Sequence, residues 1–337
     1  MSNLPKLRMG LVGCGGQGTA LAEAIACIPS LQLVACADPN AMAANHAATL
    51  ADNVSTHGSI EAMLAECEVD AIIIATPHHL LQPITITALQ AGKHVMTEKP
   101  TAMNEREAAE IEGVVAKTGL CYMAGYSFRF LMGRFVHELL QTGAVGDIYA
   151  ITSSISMPPL NHDWLAYPET GGGPLLFVGC HLLDLILWYM DDTPTSVYAD
   201  LFYRQDTGAD NTTAFQVHFS KGAIMQCLVT QAGAGFFYEI AIRGTQGQLI
   251  LRGRSFLQFE LEISSKAVAA YSAPTVIRPP VFRDHIQMML VPELEEFASA
   301  IREKRTPMIT AADARMVLKI LDAVIESARC GQPIALS

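Results

Sequence analysis

Residues 7–18 read Leu7-Arg8-Met9-Gly10-Leu11-Val12-Gly13-Cys14-Gly15-Gly16-Gln17-Gly18, a short apolar run that passes directly into a glycine-rich stretch. The run 7–12 predicts a buried strand, and the alanine-rich segment 16–28 predicts a helix. The spacing G-x-G-x-x-G between them allows a tight turn, a close approach to a pyrophosphate and close packing of helix on strand. The start of the helix also offers N–H groups to phosphates. The residues expected to contact a dinucleotide here are Gly13, Gly15, Gly16, Gln17 and Gly18.

An acidic residue stands where a dinucleotide site needs one for the ribose. Asp38 follows the predicted strand 31–37 and lies twenty residues after Gly18. A carboxylate at this place accepts hydrogen bonds from ribose hydroxyls and repels a 2′-phosphate. Because no Arg or Lys occurs from Pro39 to Asp52, the sequence predicts NAD in preference to NADP. The alternative is a glycine-rich turn that only closes a strand.

The rest of the chain shows two patterns. Up to about residue 120, apolar runs alternate with helical stretches, which is typical of βαβ units and a parallel sheet. Further strands are predicted there at 69–75 and 94–97, and helices at 41–51, 83–90 and 104–118. After residue 146, successive strands with short turns predict an antiparallel sheet. These strands are 147–156, 196–204, 212–219, 223–230, 239–243, 248–252 and 256–263, with helices at 178–189, 291–304 and 311–329.

The two patterns predict an α/β fold with two domains. Residues 1–122 are expected to form a Rossmann-type parallel-sheet domain that binds the dinucleotide. Residues 123–337 are expected to form an α+β domain with an open, mainly antiparallel sheet, for substrate binding and oligomerisation. The last helix, 311–329, is a candidate for packing back on the first domain. Since an open sheet with one apolar face needs a cover, we expect a homodimer or homotetramer formed through that sheet.

The amino-acid composition indicates which classes of binding partner are not expected. The 337 residues carry 33 acidic and 22 basic side chains, a formal net charge of −11, and no Lys/Arg cluster. Such a chain is not expected to bind nucleic acid or an anionic membrane. None of the eight cysteines forms a C-x-x-C pair, and no apolar run reaches the roughly 18 residues of a membrane span. We therefore expect a cytoplasmic protein without a metal site or a transmembrane helix.

Four further segments carry distinctive motifs. They are Ala75-Thr76-Pro77, Glu98-Lys99-Pro100, Gly125-Tyr126-Ser127-Phe128-Arg129-Phe130, and Gly171-Gly172-Gly173-Pro174-Leu175-Leu176 followed by Gly179, His181 and Asp184. Together with the tail 311–335, they resemble the glucose–fructose oxidoreductase, inositol dehydrogenase and MocA family over nearly the whole chain. The resemblance implies an NAD-dependent oxidoreductase. Its expected reaction is hydride transfer between nicotinamide and a secondary alcohol of a sugar, polyol or related hydroxylated small molecule.

The resemblance also implies roles for individual residues. Lys99 is the candidate for proton transfer or for stabilising an alkoxide, since a partly desolvated lysine beside a cofactor can work near neutral pH. His181 is the second catalytic candidate, and Asp184, three residues later, shares its helix face. Further cofactor contacts are expected from Ala75, Thr76, Pro77, His79, Glu98 and Lys99. Substrate contacts are expected from Phe177, Asp184, His162, Asp163 and Arg129. The Lys99–Pro100 peptide bond is predicted to be cis.

One position departs from the family pattern in a way that affects the chemistry. Phe177 stands four residues before His181, where the family has an Asp. Phenylalanine can neither hydrogen-bond a substrate nor relay a proton. Two alternatives stay open. The family also includes enzymes that oxidise, eliminate and re-reduce, such as NAD-dependent glycosidases, and Phe177 leaves open a dinucleotide-binding regulatory protein without turnover. Both residues also have a purely structural interpretation. Lys99 would then be a surface lysine, and His181 a hydrogen-bonded histidine of the core.

Overall fold

The computed structural model describes residues 5–159, 163–280 and 284–336. The chain divides into two compact units. The first combines Met1–Phe130 with Asp284–Met316, and the second combines Leu131–Arg283 with Val317–Ser337. Within the described ranges, no helix is long and apolar enough to cross a membrane.

The first unit is built on a six-stranded parallel sheet. Its strands are β1 (Leu7–Val12), β2 (Leu31–Ala37), β3 (Ser55–His57), β4 (Ala71–Ile74), β5 (His94–Glu98) and β6 (Tyr122–Gly125). Its first helices are α1 (Gly16–Cys27), α2 (Ala41–Ala48), α3 (Ile60–Glu66), α4 (His78–Gln90) and α5 (Glu105–Thr118). The strand order is β3-β2-β1-β4-β5-β6. All four residues of β4 are fully buried, because a central parallel strand is covered on both faces.

The second unit is built on a nine-stranded sheet. Its strands are β7 (Ile148–Ser156), β8 (Pro194–Tyr203), β9 (Asp210–Phe219), β10 (Ile224–Thr230), β11 (Phe237–Gly244), β12 (Gly247–Ser255), β13 (Gln258–Ser265), β14 (Thr275–Ile277) and β15 (Ile334–Ala335). The order is β14-β13-β12-β11-β7-β10-β9-β8-β15. Strands β7 and β10 pair in parallel, whereas the neighbours of that pair, β11 and β9, run antiparallel to it.

Helical segments complete both units. Helix α6 (Met132–Gln141) comes before the nine-stranded sheet, and a π-helical turn, Leu175–Gly179, leads into α7 (Cys180–Tyr189). Helix α8 (Val291–Glu303) belongs to the first unit, and α9 (Ala311–Cys330) supplies residues to both. Along β9 the side chains of Phe215, Val217 and Phe219 are buried, while Ala214 and His218 are exposed. One face of this sheet therefore packs into the core of the unit and the other does not.

The predicted parallel sheet followed by a mainly antiparallel sheet is confirmed. Strands β1 and β2 have the predicted bounds, whereas β3, α3, β6 and α6 had no counterpart in the sequence pattern. Helix α4 begins at His78, not at Pro83 as predicted, because Pro83 lies inside the helix. Proline removes one N–H donor from a helix without necessarily ending it, so Pro83 is a poor marker of this helix start.

Candidate active site

The loops after β1 and β4 meet at the centre of the parallel sheet. These strands are neighbours in the sheet but not in sequence, so the strand order reverses between them, and such a point is where open α/β sheets bind ligands. Gly13 directly follows β1 with φ +88°, and a Cβ atom on it would lie 2.5 Å from the carbonyl oxygen of Ala75. Only glycine therefore lets these two loops approach each other so closely.

The predicted glycine-rich turn leaves an open cradle at the start of α1. A Cβ atom on Gly18 would overlap the carbonyl oxygen of Gly13, so helix and loop are packed against each other. A Cβ atom on Gly15 or Gly16, in contrast, would meet no atom within 4 Å. Among the described residues, no side chain caps this end of the helix. Unpaired N–H groups beside open space suit the pyrophosphate of a dinucleotide.

Asp38 lies just beyond β2, held by backbone donors. Its Oδ2 accepts a hydrogen bond from the N–H of Cys14 at 2.8 Å, and its Oδ1 accepts one from Asn40 at 2.8 Å. Its own N–H donates to the carbonyl oxygen of His57 on β3 at 3.0 Å. Each carboxylate oxygen has a further lone pair. The fixed carboxylate can therefore accept hydrogen bonds from ribose hydroxyls without reorganising.

The end of β5 joins two predicted residues to the glycine loop. Glu98 is buried, and Gln17 Nε2 donates a hydrogen bond to its Oε1 at 2.7 Å. The N–H of Lys99 lies 3.3 Å from Oε2 of the same carboxylate. Burial raises the pKa of Glu98, and the charge of Lys99 and the bond from Gln17 oppose that rise. The Lys99–Pro100 peptide bond is cis, as predicted. Lys99 itself is half-buried.

The loop after β4 carries a buried hydroxyl that the described residues do not satisfy. Thr76 Oγ1 is inaccessible to solvent, and the described part of the chain offers it no hydrogen-bond partner. A buried polar group left without a partner costs about 1–3 kcal/mol. Pro77 and His79 follow at the start of α4, where His79 is half-buried. A ligand with an amide or hydroxyl group would satisfy Thr76, and the carboxamide of nicotinamide has that chemistry.

In the second unit, three predicted residues share one helical segment. His181 and Asp184 are buried in the first two turns of α7, while Phe177 is half-exposed in the π-helical turn before it. Leu176 and Val178, on either side of Phe177, are buried. Single π-helical turns occur frequently at functional sites. The segment therefore presents an aromatic side chain at the position where the family resemblance implies an acid.

Sequence reasoning missed the residue that anchors this segment. Asp210, at the start of β9, is buried, and its Oδ2 accepts hydrogen bonds from the N–H of Leu175 at 3.0 Å and from Thr213 Oγ1 at 3.1 Å. Gly173 has φ +74°, and a Cβ atom on it would overlap Oδ1 of Asp210. Burial raises the pKa of Asp210 to about 7, against the opposing effect of these hydrogen bonds.

The structure says less about the three remaining predicted substrate residues, Arg129, His162 and Asp163. Arg129 is buried, with Nη1 donating to the carbonyl oxygen of Met308 at 3.2 Å and Nη2 lying 4.0 Å from Asp313 Oδ1. A substrate contact of Arg129 stays a prediction. His162 lies outside the described residues. Asp163 begins a 3-10 turn, but its side chain is also outside them. In the described ranges, no group of three or more His, Cys, Asp or Glu residues is arranged to hold a metal.

Two known domain families match most of the chain. Residues 7–126 match the family described as "Oxidoreductase family, NAD-binding Rossmann fold". Residues 134–250 match the family described as "GFO/IDH/MocA C-terminal domain". The first match contains the glycine loop, Asp38 and Lys99, and the second contains the segment with Phe177 and His181.

Known relatives and solved structures match most of the chain at low sequence identity. Trans-1,2-dihydrobenzene-1,2-diol dehydrogenase of Xenopus laevis is 25% identical over 95% of this chain and 97% of its own length. D-xylose 1-dehydrogenase (NADP(+)) 2 of Haloferax volcanii is 24% identical over 84% of this chain and 85% of its own. Levoglucosan dehydrogenase, solved with NADH and L-sorbose, superposes with a TM-score of 0.89 at 20% identity, covering 99% and 100% of the two chains.

Proposed function

Because the chain belongs to the GFO/IDH/MocA family, it is an oxidoreductase with an NAD-binding Rossmann domain, and we propose that it oxidises a secondary alcohol of a small hydroxylated compound. A sugar, a polyol or a related molecule fits this description. One observation carries the proposal: the glycine loop, Asp38, Thr76 and the Glu98–Lys99 pair all come together at the carboxyl ends of β1, β2, β4 and β5. The relatives' names, a diol dehydrogenase and a xylose dehydrogenase, support the substrate class.

The chain's own residues divide the work of the reaction. When bound, NAD supplies the hydride acceptor. The glycine loop holds the pyrophosphate, Asp38 holds the ribose hydroxyls, and Thr76 orients the carboxamide. Lys99 Nζ, in its neutral amine form, takes the proton of the substrate hydroxyl as the hydride leaves the carbinol carbon, which becomes a carbonyl. Glu98 fixes the backbone of Lys99 through its hydrogen bond to the N–H group.

Residues of the second unit are proposed to contact the substrate and to assist proton transfer. His181 is the second proton-transfer candidate, and Asp184 would orient its ring from three residues further along α7. Phe177 would give the substrate an apolar neighbour, because its side chain is the half-exposed one in an otherwise buried turn. Each of these assignments follows from the family resemblance.

The reaction class can be tested by mixing the purified protein with NAD and a panel of sugars and polyols. Substrate-dependent growth of NADH absorbance supports the proposed dehydrogenase. Conversion of a glycoside without net NADH would instead indicate an enzyme that oxidises, eliminates and re-reduces. Tight cofactor binding with no turnover on any compound would indicate the regulatory alternative, which Phe177 keeps open.

We expect tighter binding of NAD than of NADP, because Asp38 repels a 2′-phosphate. Calorimetric titration of both cofactors measures the preference. Asp38→Ala should weaken NAD binding by roughly tenfold or more, since a hydrogen bond to a charged group contributes about 1.5–3 kcal/mol. Asp52→Ala, an exposed site in the same domain, is the matched control. Tighter binding of NADP by the unmodified protein would refute the assignment.

The aromatic side chain of Phe177 should favour substrates that lack one hydroxyl. A hydroxyl left unsatisfied against it costs about 1–3 kcal/mol, so a deoxy compound should have a kcat/KM roughly tenfold above that of its fully hydroxylated parent. Inositol and its monodeoxy analogues provide such a panel. Phe177→Asp should reverse the preference, and Phe177→Leu, which stays apolar, should keep it. Best activity on fully hydroxylated polyols would contradict this role.

The open face of the nine-stranded sheet is proposed as the homo-oligomer interface. Strand register places Tyr198, Phe202, Ile224 and Leu228 on the same face, and all four are exposed. Burying this face between copies would remove apolar surface from water. Sedimentation analysis of the unmodified protein should give a dimer or tetramer, and Leu228→Glu should shift it toward the monomer. A monomer at all concentrations would overturn the proposal.

A cytoplasmic location is proposed from the state of the cysteines. All eight cysteines lie in the described ranges and are free thiols, which suits a reducing compartment. Fractionation of source cells followed by immunoblotting tests this location. Recovery in a secreted or membrane fraction would contradict it.

A further inference from the structure

A cluster of nucleophilic, basic and acidic side chains lies at the β3 edge of the parallel sheet. Ser55 and His57 belong to β3, and Glu66 and Cys67 lie at the end of α3. Cys67 Sγ is 3.2 Å from His57 Nε2 and 3.0 Å from Ser55 Oγ, and Ser55 Oγ is 2.9 Å from the same ring nitrogen. Glu66 Oε2 is 3.5 Å from His57 Nδ1. We call these four residues the Cys67 cluster.

The geometry pairs the thiol with a base. The Glu66 carboxylate beside Nδ1 favours the tautomer that carries its proton there, which leaves Nε2 as an acceptor for the thiol proton. After that transfer, the sulfur would retain an N–H donor from His57. The Ser55 hydroxyl, which donates to the carbonyl oxygen of Val34 at 3.3 Å, lies 3.0 Å from the sulfur and would turn its proton toward it. The thiolate is the nucleophilic form of cysteine. The ring is shielded from water, since only 5% of the His57 side chain is exposed.

Cys67 also lines a groove that is open to solvent. Cys67 is half-buried, unlike Cys14 and Cys36, which are buried. It lines a groove of about 710 Å³ at the amino ends of β1, β4 and β5, together with Leu64, Val69 and Lys93. This volume is in the range of small-molecule sites. The groove lies at the opposite ends of these strands from the glycine loop, so it is separate from the cofactor site.

We propose that Cys67 is an activated thiol that adds to small soft carbon electrophiles, of which α,β-unsaturated carbonyl compounds are the fitting class. The thiol proton moves to His57 Nε2, and the sulfur forms a bond to the β-carbon of the acceptor. The carbon–carbon π pair moves to the α-carbon, which then takes the proton from His57. The adduct forms without a leaving group, an oxidant or a reductant, and the product is a thioether on Cys67.

The site is tested with acrylamide as the electrophile and with the chain's own exposed thiols as internal controls. Cys27 and Cys330 are exposed, so simple accessibility predicts that they react first. A positioned base contributes about 10²–10⁴-fold to proton-transfer reactions, and we expect Cys67 to be modified at least about tenfold faster than either. Peptide mass spectrometry after short exposure of the full-length protein measures the three rates. A Cys67 rate no higher than those of Cys27 and Cys330 overturns the proposal.

Three variants separate activation of the thiol from its accessibility. His57→Gln removes the base and should lower the Cys67 rate by about tenfold while leaving Cys27 and Cys330 unchanged. His46→Gln, an exposed histidine on α2, is the matched control and should change none of the rates. An unchanged Cys67 rate in folded His57→Gln overturns the proposal. If that variant does not fold, Glu66→Gln decides: its side chain is 69% exposed, and a several-fold loss supports the proposal whereas an unchanged rate overturns it.

Discussion

Replacing Lys99 by methionine is expected to lower turnover by about 10²–10⁴-fold, because one positioned proton-transfer group contributes that much. The change removes the amino group but keeps an unbranched side chain of similar length. Cofactor binding should stay nearly the same, since the glycine loop and Asp38 are untouched. Steady-state rates with the best substrate, together with calorimetric titration of NAD, measure the two effects separately.

Lys117→Met is the matched control for this experiment. Lys117 is exposed in the last turn of α5 in the same unit, so its loss should change neither rate nor affinity. If Lys99→Met turns over at the unmodified rate, Lys99 is not the proton-transfer group. If NAD affinity falls as steeply as the rate does, Lys99 acts in binding and the proposed mechanism is wrong.

Replacing Asp210 by asparagine is expected to stabilise the protein above pH 7 and to have little effect below pH 4. The native state raises the pKa of this carboxyl from 3.8 to about 7, so it binds the proton more tightly than the unfolded chain does. The stability that comes from this proton is fully present below pH 4 and is lost as the pH rises through 7. Since a tenfold change in proton affinity corresponds to about 1.4 kcal/mol, the rise of this pKa from 3.8 to about 7 corresponds to a loss of about 4 kcal/mol.

Asparagine stays neutral at every pH and can still accept the hydrogen bond from Leu175. The free energy of unfolding, measured by urea denaturation at several pH values, should therefore differ between the two proteins only as the pH rises. Asp200→Asn is the control, because Asp200 is exposed on the neighbouring strand β8. A constant difference across the pH range would mean that Asp210 is not a buried acid of this kind.

Local constraints explain what the sequence predicted well. Gly13 and Gly18 lie where the turn after β1 contacts α1. The G-x-G-x-x-G spacing, which covers only six residues, is enough to identify them. Asp38 directly follows β2, and the apolar sequence of this buried strand shows where the strand ends. The three consecutive isoleucines of β4 predict a strand covered on both faces. Each of these inferences needs only neighbours in sequence.

Long-range pairings explain what the sequence did not predict. Strand β3 has three residues, Ser55, Thr56 and His57, and its extended form comes from pairing with β2. Asp210 meets Leu175 across 35 positions, and Gln17 meets Glu98 across 81. No periodicity connects residues so far apart, so their partners become visible only in the folded chain. His57 and Cys67 are only ten positions apart, but one ends a strand and the other follows a helix, so no single periodicity predicts their contact.

The glycine loop predicts an unequal tolerance to substitution. In a library that randomises residues 13–18, selection for folding alone should retain glycine at positions 13 and 18, where a Cβ atom would meet backbone. The same selection should accept alanine or serine at positions 15 and 16, where a Cβ atom would meet open space. Selection for growth on the enzyme's substrate should restore glycine at those two positions as well. The pattern of accepted residues would then separate the demands of the fold from those of the cofactor.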